Sequence, residues 1–194
     1  MARPREFEMQ TVLDRAMQVF WAKGYESASL DDLCKATGLG RSSLYAAFGD
    51  KHALYLTTLR HYEDQAVERI TVALSGPHSI REALALLLGR MIDDIVAGPG
   101  RRGCFIGNCA GELARNDANA SARVRRALDR LESVFRDALG RAQARGEIAA
   151  SADLHALARF LTASFQGLRL VGKARPDRAV LDDIAAVMLR CLAE

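Results

Sequence analysis

The 194-residue chain has little of what most enzymes, metalloproteins and membrane proteins are built from. Its four cysteines, Cys34, Cys104, Cys109 and Cys191, are scattered without the paired spacing of a zinc site, and no further ligands stand at a suitable interval. No metal and no cofactor is expected. No nucleophile stands with a base, and no phosphate-binding loop occurs, so hydrolase and transferase chemistry has no residues to carry it. No signal-peptide pattern opens the chain, and no apolar run approaches the roughly 20 residues of a membrane span. A cytoplasmic location with reduced thiols follows as the expectation. Only four prolines interrupt the sequence, β-branched runs are few, and neither repeats nor low-complexity segments stand out. A formal charge of +3 is too small to imply nucleic-acid binding, and over residues 1–52 seven basic residues are matched by seven acidic ones. Any DNA binding must depend on where individual cations point and on two copies acting together.

What the chain does have is 49% hydrophobic residues, set almost everywhere at helical spacing. The informative stretch is Ser29 to Lys51. Leu30, Leu33, Cys34 and Ala36 recur at helical intervals, Ser29 and Asp32 form a capping-box pattern, and Gly38 stands where a helix stops. After Leu39 and Gly40, a second short helix from Arg41 to Phe48 puts Leu44, Ala47 and Phe48 on one side, before Gly49. Two short helices joined by such a turn form a helix-turn-helix, whose second helix can enter the major groove. Arg41, Ser42 and Ser43 fall in its first turn, where base edges are met, and Tyr45 and Lys51 are placed to reach phosphates. On this pattern alone, a helical hairpin in a protein-interaction module without a DNA role stays open.

Phe20, Gly24, Tyr25, Ser29, Leu30, Gly38, Leu39, Leu44, Tyr45, Phe48 and Lys51 occur in the order and register of the tetracycline-repressor (TetR) family, which the chain resembles over about 50 residues. The resemblance implies a helix-turn-helix DNA-binding domain at residues 1–50 and a ligand-sensing and dimerisation domain at 51–194. It also implies that Lys51 opens the fourth helix and holds phosphate, and it adds Ser29 to the DNA-binding set. The fold class is all-α, with about nine helices.

The helices expected elsewhere run from Phe7 to Lys23, Lys51 to about Ser75, Ser79 to Ala97, Gly103 to about Arg115, Ala118 to Arg145, Asp153 to Lys173 and Pro176 to Ala193. Met1 to Glu6 reads as an arm without periodic apolar residues. Trp21 is read as a core or linker contact. Arg123, Arg125, Arg126 and Arg130 read as a solvated face or as partners in intrahelical ion pairs. The family resemblance implies that the last two helices pair with their symmetry mates, with Leu161, Ser164, Leu168, Ile184, Val187 and Met188 as the interface. Both stripes could equally pack inside one protomer. The dimer would set two recognition helices on a palindromic operator and act as a repressor.

Two inducer readings remain. In one, a small apolar molecule occupies a pocket between the middle helices, with Cys104, Phe105, Asn108, Phe160, Phe165, His61 and Met91 as candidate lining, although such residues also form ordinary core. In the other, Cys104 is a thiol sensor. It stands at a helix start beside Arg101 and Arg102, where the helix dipole and guanidinium charge favour a thiolate. The Gly-Cys pair also resembles a branch of the family in which some members respond to electrophiles or oxidants. Against this stands Cys104 as a small buried residue, which is also the reading for Cys34 and Cys191. Cys104 and Cys109 stand about 7.5 Å apart along a helix, too far for a disulfide. His52, His61, His78 and His155 have no carboxylate partner that the sequence can place.

Overall fold

The computed structural model describes residues 3–192, with side chains described from Met9 onward. Among the described residues the chain forms nine α-helices and one 3-10 turn, and the cores lie between helices, as an all-α fold requires. Residues 1 and 2 of the expected arm lie outside the described residues. From Arg3 the backbone is already helical, so α1 spans Arg3–Lys23 and begins earlier than the expected Phe7. Pro4 does not prevent this, because a proline in the first turn removes an N–H that has no intrahelical acceptor.

Helix α1 ends at Gly24, whose φ of 80° suits glycine and whose N–H donates to the Phe20 carbonyl at 2.8 Å. Helix α2 (Leu30–Thr37) opens on the Ser29–Asp32 capping box. The Asp32 N–H donates to Ser29 Oγ at 3.1 Å, and the Ser29 N–H donates to the Asp32 carboxylate at 3.0 Å. Gly38, at φ 75°, closes it. Helix α3 (Arg41–Phe48) follows from Gly40 without a side-chain cap and ends at Gly49. Helix α4 (Lys51–Leu74) starts on Asp50, whose carboxylate accepts the Ala53 N–H at 2.7 Å.

Helix α5 (Ile80–Ala97) has a second capping box, Ser79 with Glu82. The helix expected from Gly103 is shorter than expected. Pro99–Arg102 forms a 3-10 turn, Gly103 takes φ 73°, and α6 spans only Phe105–Glu112. Helix α7 (Ala118–Ala144), α8 (Leu154–Ala174, capped by Asp153) and α9 (Arg178–Arg190, capped by Asp177) complete the chain.

The helices sort into two compact units. One takes in the chain up to Gln65 together with Asn108–Val124, and the other takes in Ala66–Gly107 together with the chain from Arg125 on. In the first, Phe20 and Tyr55 pack edge to face at 5.0 Å, and Trp21 packs on Tyr62 at 5.1 Å, which makes Trp21 a packing residue. Polar pairs tie its helices together. The His61 ring lies 2.7 Å from the Asp14 carboxylate, which also accepts from Gln65 at 3.0 Å. Arg123 meets Glu63, a carboxylate only 2% exposed, at 3.0 Å. Arg123 therefore lies outside the expected solvated arginine face and braces α7 against α4, while Arg125, Arg126 and Arg130 are exposed.

The second unit is packed by apolar side chains such as Leu88, Ile92, Ile95, Phe135, Leu139 and Leu181. Helices α5 and α8 pass so closely that a Cβ on Gly172 would meet Ile95 at 2.8 Å. Among the described residues no helix is long and apolar enough to cross a membrane.

Candidate nucleic-acid interface

Helix α3 buries one residue fully. Leu44 is 3% exposed and Phe48 is half-buried, and they hold α3 to the unit beneath. Arg41, Ser42, Ser43 and Tyr45 are all exposed. The expected polar face therefore points outward. Ala47 departs from the expectation: it is exposed rather than packed. An eight-residue helix offers only a narrow buried stripe, which Leu44 and Phe48 already fill. Gly40 supplies no side-chain acceptor, so the first-turn N–H groups of α3 lack the capping that Ser29, Ser79, Asp153 and Asp177 give α2, α5, α8 and α9. An uncapped helix start of this kind is suited to anions.

The cations Arg41 and Lys51 beside α3 both already have contacts within the protein. Arg41 Nη2 donates to Asp31 Oδ1 at 2.7 Å. Lys51 begins α4, but its ammonium lies over the Tyr25 ring, 4.5 Å from the centroid, and donates to the Glu26 carbonyl at 3.4 Å. An ammonium over an aromatic face is attracted by the ring's quadrupole, which restrains where the Lys51 side chain sits. Burial pushes the Tyr25 phenol up, which keeps the ring neutral. Ser29 donates its hydroxyl to Asp32 at 2.7 Å as part of the capping box. Hydrogen bonds from Lys23 and then from Ser29 hold the Asp32 carboxyl well below the usual carboxylate range.

Sequence reasoning placed no partner for the histidines. In the structure the His52 ring meets the Asp117 carboxylate at 2.5 Å, and His61 meets Asp14. The Ala120 N–H and then His52 hold the Asp117 carboxyl below its ordinary value. Glu112 of α6 accepts the Glu26 N–H at 3.1 Å, in the turn after α1. These partners lie too far apart in sequence for periodicity to reveal them.

The inducer candidates fall in both units. Phe105, Phe165, Met91 and Cys104 are buried in the second, with Phe165 against Phe135 at 5.9 Å. His61 and Asn108 belong to the first. Cys104 stands immediately before α6, as expected, and is 9% exposed. Arg101 directs a guanidinium nitrogen to the Val96 carbonyl, and Arg169 reaches the Gly103 carbonyl at 3.3 Å. All four cysteines are free thiols; Cys104 and Cys109 are buried, whereas Cys34 and Cys191 are half-buried rather than fully packed. Burial pushes the Cys109 thiol up. Of the dimer candidates, Leu161, Leu168 and Met188 are consumed by the protomer's own core, while Ser164 and Ile184 are half-buried and Val187 is exposed. Phe160 departs from the expected pocket lining: it is exposed on α8, as is Leu170, because its position on that helix turns away from the protomer's core.

Residues 12–58 match the family described as bacterial regulatory proteins, tetR family, and residues 81–188 match the tetracyclin repressor-like C-terminal domain. The uncharacterized HTH-type transcriptional regulator YezE of Bacillus subtilis (strain 168) is 32% identical, over 99% of this chain and 100% of its own. The HTH-type transcriptional repressor ComR of Escherichia coli (strain K12) is 31% identical over 99% of this chain and 92% of its own. Among solved structures, a cysteine mutant of the TetR family regulator CifR, complexed with 26bp double-strand operator DNA, is similar with a TM-score of 0.80. It is 33% identical, covering 93% of this chain and 95% of the other. The two family matches, the full-length relatives and the outward polar face of α3 lead to one conclusion: the chain belongs to the TetR family of DNA-binding transcriptional regulators.

Proposed function

We propose that this regulator is a homodimeric repressor that holds a palindromic operator and leaves it when a small, mostly apolar inducer binds. The observation that carries the reading is the face of α3, on which Arg41, Ser42, Ser43 and Tyr45 are exposed around a buried Leu44. Arg41, Ser42 and Ser43 read base edges, while Ser29, Tyr45 and Lys51 hold phosphates. The division of labour falls between residues 1–50, which engage DNA, and residues 51–194, which dimerise and sense. The likeness to ComR, a repressor, and to CifR, which was solved on operator DNA, supports this assignment.

Dimerisation uses the outer side of α8 and α9. Ser164, Ile184 and Val187 remain available there, with Phe160 and Leu170 alongside, and Leu161, Leu168 and Met188 support them from within. Met91, Phe105 and Phe165, with Cys104, supply the inducer-responsive part of the second unit, and His61 and Asn108 that of the first. The thiol-sensing alternative is favoured by the place of Cys104 at the start of α6, where a modified side chain would disturb the first helical turn.

Selection from a randomised duplex library tests the reading. A palindromic motif is expected, and Lys51→Ala should weaken binding to all duplexes and lower the salt slope by about one. Failure to enrich any duplex at low salt would end the proposal. Val187→Arg should shift the mass in light scattering towards a monomer and abolish operator binding. Operator release by an alkylating agent that is unchanged in Cys104→Ser would remove the thiol alternative.

A further inference from the structure

We propose that Asp31 positions Arg41 for base reading and so determines how selective this regulator is for its operator. The inference rests on the reading of α3 given above. Asp31 and Arg41 are 77% and 63% exposed, yet the carboxylate and guanidinium meet at 2.7 Å, linking the first turns of α2 and α3. The two acids of the α2 first turn have separate tasks. Asp32 is occupied by the Ser29 cap and by Lys23 at 2.6 Å, whereas the Asp31 carboxylate bonds Arg41.

A guanidinium carries five N–H donors in a rigid fork, and one contact through a single Nη2 hydrogen leaves a two-donor edge, the other Nη2 hydrogen with its neighbour, for the O6 and N7 of a guanine. A long, exposed arginine otherwise samples many rotamers. Holding it in one before DNA arrives removes part of the ordering cost of reading a base. An exposed ion pair is weak, so it orients the side chain without locking it.

The same carboxylate also repels phosphates. Engagement with random sequence leaves that repulsion uncompensated, whereas a correctly placed guanine offsets it, and selectivity rises from both sides. Removing Asp31 should therefore strengthen random binding and lower discrimination together. A carboxylate that merely complements the helix dipole would change stability and leave that ratio alone.

The test compares the duplex selected by the wild type with a random-sequence duplex, for wild type, Asp31→Asn, Arg41→Ala and the double variant, each shown to be folded by circular dichroism. Asp31→Ser, which keeps a residue suited to a helix start, serves as a second replacement. Asp31→Asn is expected to tighten random binding severalfold and to lower the selected-to-random affinity ratio by about tenfold; once Arg41 is alanine the tightening should remain while the ratio no longer changes. If Arg41→Ala lowers the ratio but neither Asp31 variant does, the positioning role is overturned while the α3 reading stands. An Asp31→Asn change in the selected-to-random ratio that persists in the Arg41→Ala background overturns it as well. If Arg41→Ala leaves selected binding intact, both Arg41 as a reader and Asp31 as its positioner are lost.

Discussion

The two compact units are held together by different physics. In the second, helices meet through a continuous apolar core, and Gly172 exists to let α8 approach Ile95. In the first, aromatic rings share the interior with one buried ion pair, Glu63 with Arg123, and part-buried carboxylate–imidazole contacts, Asp14 with His61 and Asp117 with His52, lie around it. An apolar core tolerates gradual change, whereas a buried ion pair depends on both partners at once. The unit that carries α2 and α3 thus depends more on matched partners in its interior.

The largest expected effect breaks the first unit. Glu63→Ala leaves the Arg123 charge without its carboxylate and should cost about 3–5 kcal/mol in denaturant unfolding, and replacing both residues by Leu and Met should restore most of it. Failure of the double variant to recover would show that the pair holds the unit by more than mutual compensation. In the second unit, Phe135→Ala should cost about 3–4 kcal/mol, with no compensating partner to restore it. A smaller loss, about 1–3 kcal/mol, is expected for Gly172→Ala, because its Cβ would press on Ile95; Ile95→Val should relieve part of it.

The smallest effect is electrostatic. Asp117 is held below its ordinary value in the folded chain, so in the acid range the unfolded chain binds more protons. Its contribution is complete at neutral pH and is lost as pH falls below about 4. Melting temperature plotted against pH should fall less steeply at the acid end for Asp117→Asn than for the wild type. Equal slopes would mean that the bonds this carboxylate accepts from the Ala120 N–H and shares with His52 have no energetic consequence.

The parts legible in the sequence are those fixed by neighbours along the chain. Ser29 and Asp32 cap α2 because they stand three residues apart, and Leu44 with Phe48 faces inward from α3 because these are the large apolar side chains one turn apart in that segment. The outward face of Arg41, Ser42 and Ser43 follows from the same spacing. The pairings of Arg41 with Asp31, Lys51 with Tyr25 and Arg123 with Glu63 were not legible, since each joins residues from different elements, two helices or, for Tyr25, a helix and the turn after α1. The α8 and α9 stripes show the same limit. Their periodicity is real, yet it could not tell a side chain used inside the protomer, such as Leu168 or Met188, from one left at its surface, such as Val187.

By itself, the sequence determined that the chain is helical, where most helices begin and end, and which short helix turns a polar face outward. Helical period, capping and glycine stops act over a few residues and are written in their order. Only the tertiary structure decided which charges meet and which apolar residues are consumed within the protomer, because those outcomes depend on distances between helices that no local pattern encodes.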